Sequence, residues 1–109
     1  MLPFFKKLFT SNYETLSGEA FQKQYKTTRG AVLIDVRTPA EFSGGSIRGA
    51  RNINVVSPSF KNAIQTLDKE KTYFIFCRSG ARSRNACRQM SNMGFKVYNL
   101  RGGIGAWRD

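Results

Sequence analysis

Cys77 ends the apolar run Tyr73-Phe74-Ile75-Phe76 and is followed at once by Arg78-Ser79-Gly80-Ala81-Arg82-Ser83. That order of residue types suits a nucleophilic thiol. The chain contains no histidine, so neither a Cys-His nor a Ser-His pair is available to activate a nucleophile. Activation has to come from backbone dipoles and cations. A short loop between a strand and a helix curls its N–H groups into a common concavity, and the helix adds its own free N–H groups and the positive end of its dipole. The thiolate is the reactive form, and such surroundings lower a cysteine pKa from roughly 8.5 to between about 3.5 and 7.5. Arg78 and Arg82 bring positive charge that does not titrate, and Gly80 gives the loop freedom to turn. A cysteine at the end of a buried strand is by itself usually a small core hydrophobe. Two arginines and a glycine in the following five residues argue for a working thiol.

The second cysteine reads differently. Ala86, Cys87, Met90 and Met93 fall on one face of a helix expected to begin near Arg82-Ser83 and to end at Gly94. Cys87 is therefore expected to be a packing residue. Two thiols without histidine make a poor zinc site and no disulfide framework, so neither a metal nor a cofactor is expected.

The elements that position Cys77 follow from short apolar runs alternating with helix-period segments, the pattern of an α/β domain with a mainly parallel sheet. Ala31 to Val36 is a near-continuous apolar run, suited to a strand buried on both faces. Tyr73 to Cys77 is a second, rich in aromatic and β-branched residues. Asn52 to Val55 and Lys96 to Leu100 are expected strands, with a short first one near Tyr13–Leu16. Thr38-Pro39-Ala40-Glu41 reads as a capping box opening a short helix that Gly44-Gly45 stops. Ser57-Pro58 is expected to open a helix with Phe60, Ala63, Ile64 and Leu67 inward, and Ser17 to cap one carrying Ala20 and Phe21.

The chain of 109 residues has room for one domain, expected over 13–109 behind a tail of residues 1–12. In that tail, Lys6 and Lys7 interrupt any secretory apolar core. Phe4, Phe5, Leu8 or Phe9 is expected to pack on the domain, with a weak amphipathic membrane contact as the alternative. No apolar run approaches the roughly 18–20 residues of a membrane span, and a cytoplasmic, monomeric protein is the expectation. The formal charge is +11, and from Lys71 onward eight Lys/Arg stand against the one acid Asp109. Such a field favours anionic partners, read as a solvated basic surface that steers small anions or as a face for an acidic protein partner. RNA is not expected, because no stacked-aromatic module is interleaved with the basic residues.

The loop Cys77-Arg78-Ser79-Gly80-Ala81-Arg82-Ser83 resembles the active-site loop of the rhodanese family, a Cys-X4-Arg bowl closed by a helix. Three further segments resemble that family in the right order: Ile34 to Phe42, Gly45 to Ile53, and Gly102-Gly103-Ile104-Gly105-Ala106-Trp107. The resemblance spans roughly Glu14 to Trp107. Two positions depart from it, since the family usually has His where Ser46 stands and Pro where Arg48 stands; both are read as shaping a turn. The resemblance implies a three-layer α/β/α fold with a five-stranded, mainly parallel sheet. It implies that Cys77 takes sulfur from a small anionic donor such as thiosulfate as a persulfide and passes it to a thiol, a protein or cyanide. Arg78 to Ser83 form the substrate-binding loop, with Arg78 and Arg82 orienting the donor. Asp35 and Arg37 are supporting residues: Asp35 can pair with Arg82 or Arg37 and hold the bowl, or satisfy nearby backbone N–H groups. Trp107 is read as a packing anchor, with a place on the rim as the alternative.

Two rival functions share this pattern. A Cys-dependent phosphatase or arsenate reductase of related fold resembles Cys-X5-Arg, a wider bowl than the four residues between Cys77 and Arg82 provide. A binding module that keeps the fold without turnover is the other, and in this family such modules resemble members lacking the cysteine.

Overall fold

A computed structural model of the chain describes residues 12–109. The expected packing of Phe4, Phe5, Leu8 or Phe9 lies outside the described residues, as does most of the tail.

Five strands form one parallel sheet: β1 (Glu14–Leu16), β2 (Ala31–Asp35), β3 (Arg51–Asn52), β4 (Thr72–Phe76) and β5 (Lys96–Leu100), in the order β1-β5-β4-β2-β3. The helices are α1 (Gly18–Thr27), α2 (Pro39–Ser43), α3 (Phe60–Gln65) and α4 (Ala81–Asn92), followed by a 3-10 turn at Ile104–Ala106. β4 is the central strand, and all five of its residues are buried. Its neighbours in register are Ala31 to Asp35 of β2 on one side and Lys96 to Asn99 of β5 on the other. A strand covered on both faces has no polar alternation to keep, which is why Tyr73-Phe74-Ile75-Phe76 reads as a continuous apolar run.

Alternate side chains of the sheet enter two separate cores. Ile34, Val36, Tyr73, Ile75, Cys77 and Val97 pack with Phe60 and Ile64 of α3 and with Ala86, Cys87 and Met90 of α4. Leu33, Phe74, Phe76 and Leu100 face the other way, onto Phe21 of α1 and the partly buried Tyr25 and Trp107. Trp107 packs edge-on against Phe21 and Tyr25, with ring centroids 6.2 and 6.0 Å apart, the geometry of a packing anchor. The result is the expected three-layer arrangement. No helix among the described residues is long and apolar enough to cross a membrane.

The caps behave as their residues dictate. The Ser17 side chain accepts from the Ala20 N–H, and Thr38 and Glu41 form the reciprocal capping box. Three boundaries differ from expectation. The third strand is Arg51–Asn52 rather than Asn52–Val55, since only those residues pair in register with Ile34 and Asp35. Ile53 and Val55 then bond back to the Asp35 and Val36 carbonyls as the chain leaves the sheet. α3 begins at Phe60, after Ser57 and Ser59 have closed a turn through their hydroxyls. α4 begins at Ala81, earlier than Arg82-Ser83, because Gly80 serves as its N-cap with φ of 112°. That backbone conformation is left-handed, which glycine alone adopts without penalty.

Candidate active site

The strand order reverses between β2 and β4. From β2 the chain crosses outward to β3, and from β4 it crosses the other way to β5. Ligand crevices in open parallel sheets lie at the carboxyl ends of the strands at such a reversal. Cys77 directly follows β4 there, and Asp35 ends β2 beside it, in register with Phe76.

Cys77 is 1% exposed, and its sulfur sits inside the curl of the following loop. The Gly80 N–H donates to Sγ at 3.0 Å and the Ser83 N–H at 3.3 Å. Ser83 Oγ lies 3.4 Å from Sγ, and its hydroxyl donates to the Gly80 carbonyl at 3.0 Å. Because α4 starts at Ala81, the Ser83 N–H is one of the helix's unsatisfied first-turn donors, free to point at the sulfur. Burial pushes the Cys77 thiol up. The Ser83 hydroxyl, with the N–H groups of Ser83, Gly80 and Ser79, outweighs it and brings the thiol below its ordinary value. The activation expected from backbone dipoles is thus built, and its largest favourable contribution comes from a serine hydroxyl.

The Gly102-Gly103 turn supports this loop from below. The Ile104 N–H donates to the Cys77 carbonyl at 2.8 Å. Gly103, at φ of 76°, lies so close beneath the loop that a Cβ there would collide with the Arg78 carbonyl and come within 2.7 Å of the Ser79 nitrogen. The glycine turn near the C-terminus therefore fixes the height of the bowl.

The supporting charges separate into two pairs. Asp35 is fully buried and pairs with Arg37, whose Nη2 and Nε lie 2.8 and 3.1 Å from Oδ2, while the Arg37 backbone N–H donates to Oδ1 at 3.0 Å. Arg37 Nη2 also donates to the Gly45 carbonyl at 2.7 Å, and the Ser46 hydroxyl donates to Asp35 Oδ2 at 2.8 Å. Of the alternatives open to Asp35, the pair with Arg37 and the local backbone bond are both present, and the pair with Arg82 is not. Arg82 instead donates to Glu41, Nη1 to Oε1 at 2.7 Å and Nη2 to Oε2 at 3.0 Å. Arg82 holds the Glu41 carboxyl well below the usual carboxylate range, at about 2, with the Thr38 bonds of the capping box adding to the effect.

The loop from Arg78 to Ser83 follows Cys77 directly, with Gly80 and Ser83 donating to its sulfur, Arg78, Ser79 and Ala81 exposed, and Arg82, expected to orient the donor, turned to Glu41. The sequence reading did not anticipate Glu41 as the partner of Arg82. The capping-box pattern had already accounted for Glu41, and nothing local signals a second partner 41 residues on. Ser46 also gains a function in the architecture, since its hydroxyl satisfies the buried Asp35 carboxylate. Cys87 is fully buried in the core beneath α4, and burial, with Cys77 adding to it, pushes its thiol far up.

The sequence matches the Rhodanese-like domain over residues 18–109. It is 36% identical over 93 residues to a protein named "Sulfurtransferase" of Allochromatium vinosum, covering 84% of this chain and 85% of that one. It is 35% identical over 80 residues to "Thiosulfate sulfurtransferase GlpE" of Stutzerimonas stutzeri, covering 72% of each. The fold superposes on the crystal structure of a rhodanese-related protein from Thermoplasma volcanium with a TM-score of 0.76 and 27% identity, over 87% of this chain and 90% of that one. With a central-strand cysteine cupped by a helix start and the family match spanning nearly the whole described chain, this protein belongs to the rhodanese-like domain family.

Proposed function

We propose that the protein is a sulfurtransferase that carries sulfur as a persulfide on Cys77, with thiosulfate as a competent donor. The observation that carries this reading is the pair of backbone donors converging on Sγ, the Gly80 and Ser83 N–H groups at 3.0 and 3.3 Å, with the Ser83 Oγ 3.4 Å away. They favour a thiolate at Cys77 and need no general base, which suits a chain without histidine.

In the first step the Cys77 thiolate attacks the outer sulfur of thiosulfate. A new S–S bond forms at Sγ, the S–S bond of thiosulfate breaks, and sulfite leaves with its electron pair. The Cys77 persulfide is itself anionic, and the N–H groups of the bowl stabilise its terminal sulfur as they did the thiolate. In the second step an acceptor thiolate, or cyanide, attacks that terminal sulfur. The bond to Sγ breaks, its electron pair returns to Cys77 as thiolate, and the acceptor leaves as a persulfide or thiocyanate. No redox cofactor or metal takes part.

The relatives named sulfurtransferase support the reading. The narrow loop favours it over phosphoryl chemistry, since with the helix starting at Ala81 the donors close on one sulfur atom rather than around a tetrahedral anion. The test is thiocyanate formation from thiosulfate and cyanide by the wild-type protein and by Cys77→Ser. Turnover by the wild type and its loss in the variant agree with the proposal. Equal turnover by both, or hydrolysis of an aryl phosphate in place of sulfur transfer, overturns it.

A further inference from the structure

Three exposed arginines on the loop, on α4 and at the end of β5 have no side-chain partner among the described residues. Arg78 is the first residue of the loop, Arg84 lies one turn into α4, and Arg101 leads into the Gly102-Gly103 turn on which the loop rests; all three are exposed. Arg84 is placed most directly. Its Nη1 lies 3.5 Å from where a Cβ on Gly80 would stand, and the Gly102 nitrogen lies 3.8 Å from the same point. The guanidinium therefore covers the junction between the catalytic loop and the glycine turn. The two carboxylates at the bowl are already engaged, Asp35 by Arg37 and Glu41 by Arg82. None of the three arginines makes an ion pair or side-chain hydrogen bond among the described residues.

Three uncompensated guanidinium groups exceed what a small donor needs, since the backbone N–H groups already bind the sulfur. Exposed arginines suit planar, bidentate carboxylates. Single-stranded RNA calls for exposed aromatic rings to stack its bases, and the one exposed large hydrophobic residue described is Val56, at 63%.

Building on the sulfurtransferase reading, we infer that Arg78, Arg84 and Arg101 form a docking rim for a protein acceptor whose thiol lies among acidic side chains. The rim holds the acceptor's carboxylates while its thiolate reaches the terminal sulfur of the Cys77 persulfide. It also offsets the repulsion between two anions that must meet, which raises the rate of productive encounter.

The test uses the full-length protein loaded from thiosulfate and two peptides of equal length, each with one cysteine, flanked in one by Asp and Glu and in the other by Ser and Gly. Sulfur transfer to each is followed by mass, with rates expressed per thiolate, because acidic neighbours raise a thiol pKa. At low ionic strength the acidic peptide is expected to show kcat/KM about tenfold or more above the neutral one. That advantage should shrink as salt is added, and should fall below about threefold in Arg84→Glu combined with Arg101→Glu. The salt series on the wild type stands by itself if the double variant folds poorly. Equal rates for the two peptides at low salt overturn the inference. So does strong inhibition by polyuridylate RNA without any preference for the acidic peptide, which would assign the rim to nucleic acid. Transfer to the neutral peptide in either case shows that the sulfurtransferase reading survives, and absence of any Cys77 persulfide shows that it is the part that fails.

Discussion

Glu41, in the short helix after β2, grips Arg82, in the first turn of the helix after β4, through two parallel bonds of 2.7 and 3.0 Å. The pair ties the two strand ends that flank the crevice at Cys77, and it makes Arg82 a brace for the loop rather than a free cation. Glu41 titrates at about 2 in the folded protein against 4.5 ordinarily. A carboxylate with a lowered folded pKa adds stability that is present above its unfolded value and is lost as the pH falls through its folded value. Thermal unfolding should therefore show a loss of Tm between about pH 4.5 and 2, part of which is absent in Glu41→Gln. Identical acid limbs in the two proteins would contradict the assignment of that shift.

Ser83→Ala removes the hydroxyl that does most to lower the Cys77 thiol. The apparent pKa of persulfide formation, read from single-turnover rates against pH, should lie below the ordinary value of roughly 8.5 in the wild type. It should move up in the variant, with a rate at pH 7 about tenfold lower, the worth of one hydrogen bond to a charged group. The thiolate is the reactive form, so rate rises with pH and levels off above the apparent pKa. An unchanged profile would mean that the backbone donors alone set the thiol's acidity.

Gly103→Ala should disable the site from beneath. Its Cβ would strike the Arg78 carbonyl, and its φ of 76° is itself unfavourable for alanine. The expected cost is about 1–3 kcal/mol of stability, read from denaturant midpoints, together with a larger fractional loss of sulfur transfer than of stability at 25 °C. Gly45→Ala is the control: it shares a positive φ, but nothing lies within 4 Å of its added Cβ.

The two thiols should part company under alkylation. Cys77 is buried yet ionised more readily than an ordinary cysteine, whereas burial keeps Cys87 protonated. Iodoacetamide on the native protein is expected to modify Cys77 selectively, slowed by prior treatment with thiosulfate, and both cysteines should react in denaturant. Native-state labelling of Cys87 at a comparable rate would mean that α4 opens far more readily than its packing implies.

Much of this site is written in local sequence. The run Tyr73 to Phe76 marks the buried central strand, the five residues after it mark the loop, and Thr38-Pro39-Ala40-Glu41 gives the capping box that the structure contains. Local chemistry fixes these features because they depend on backbone conformation and burial alone. The long-range pairings are less legible. Arg82 could meet either Asp35 or Glu41, and the choice depends on how far the chain turns after Asp35, which the Arg37 bonds to Asp35 and Gly45 settle. The early start of α4 was hidden for a related reason: glycine is a weak helix signal in sequence, yet at Gly80 its left-handed backbone caps the helix and aims its own N–H at the sulfur. Nothing in the local sequence singles out Arg84, whose guanidinium lies over the loop at Gly80.

The most direct test of the central claim is the intact mass of the protein before and after thiosulfate, and again after cyanide. The account predicts a gain of about 32 Da, one sulfur atom, located at Cys77, absent in Cys77→Ser and removed by cyanide as thiocyanate. A protein whose Cys77 thiol is demonstrably free, and which gains no mass from thiosulfate or from a persulfide donor, would contradict it and leave the bowl as a binding site without turnover.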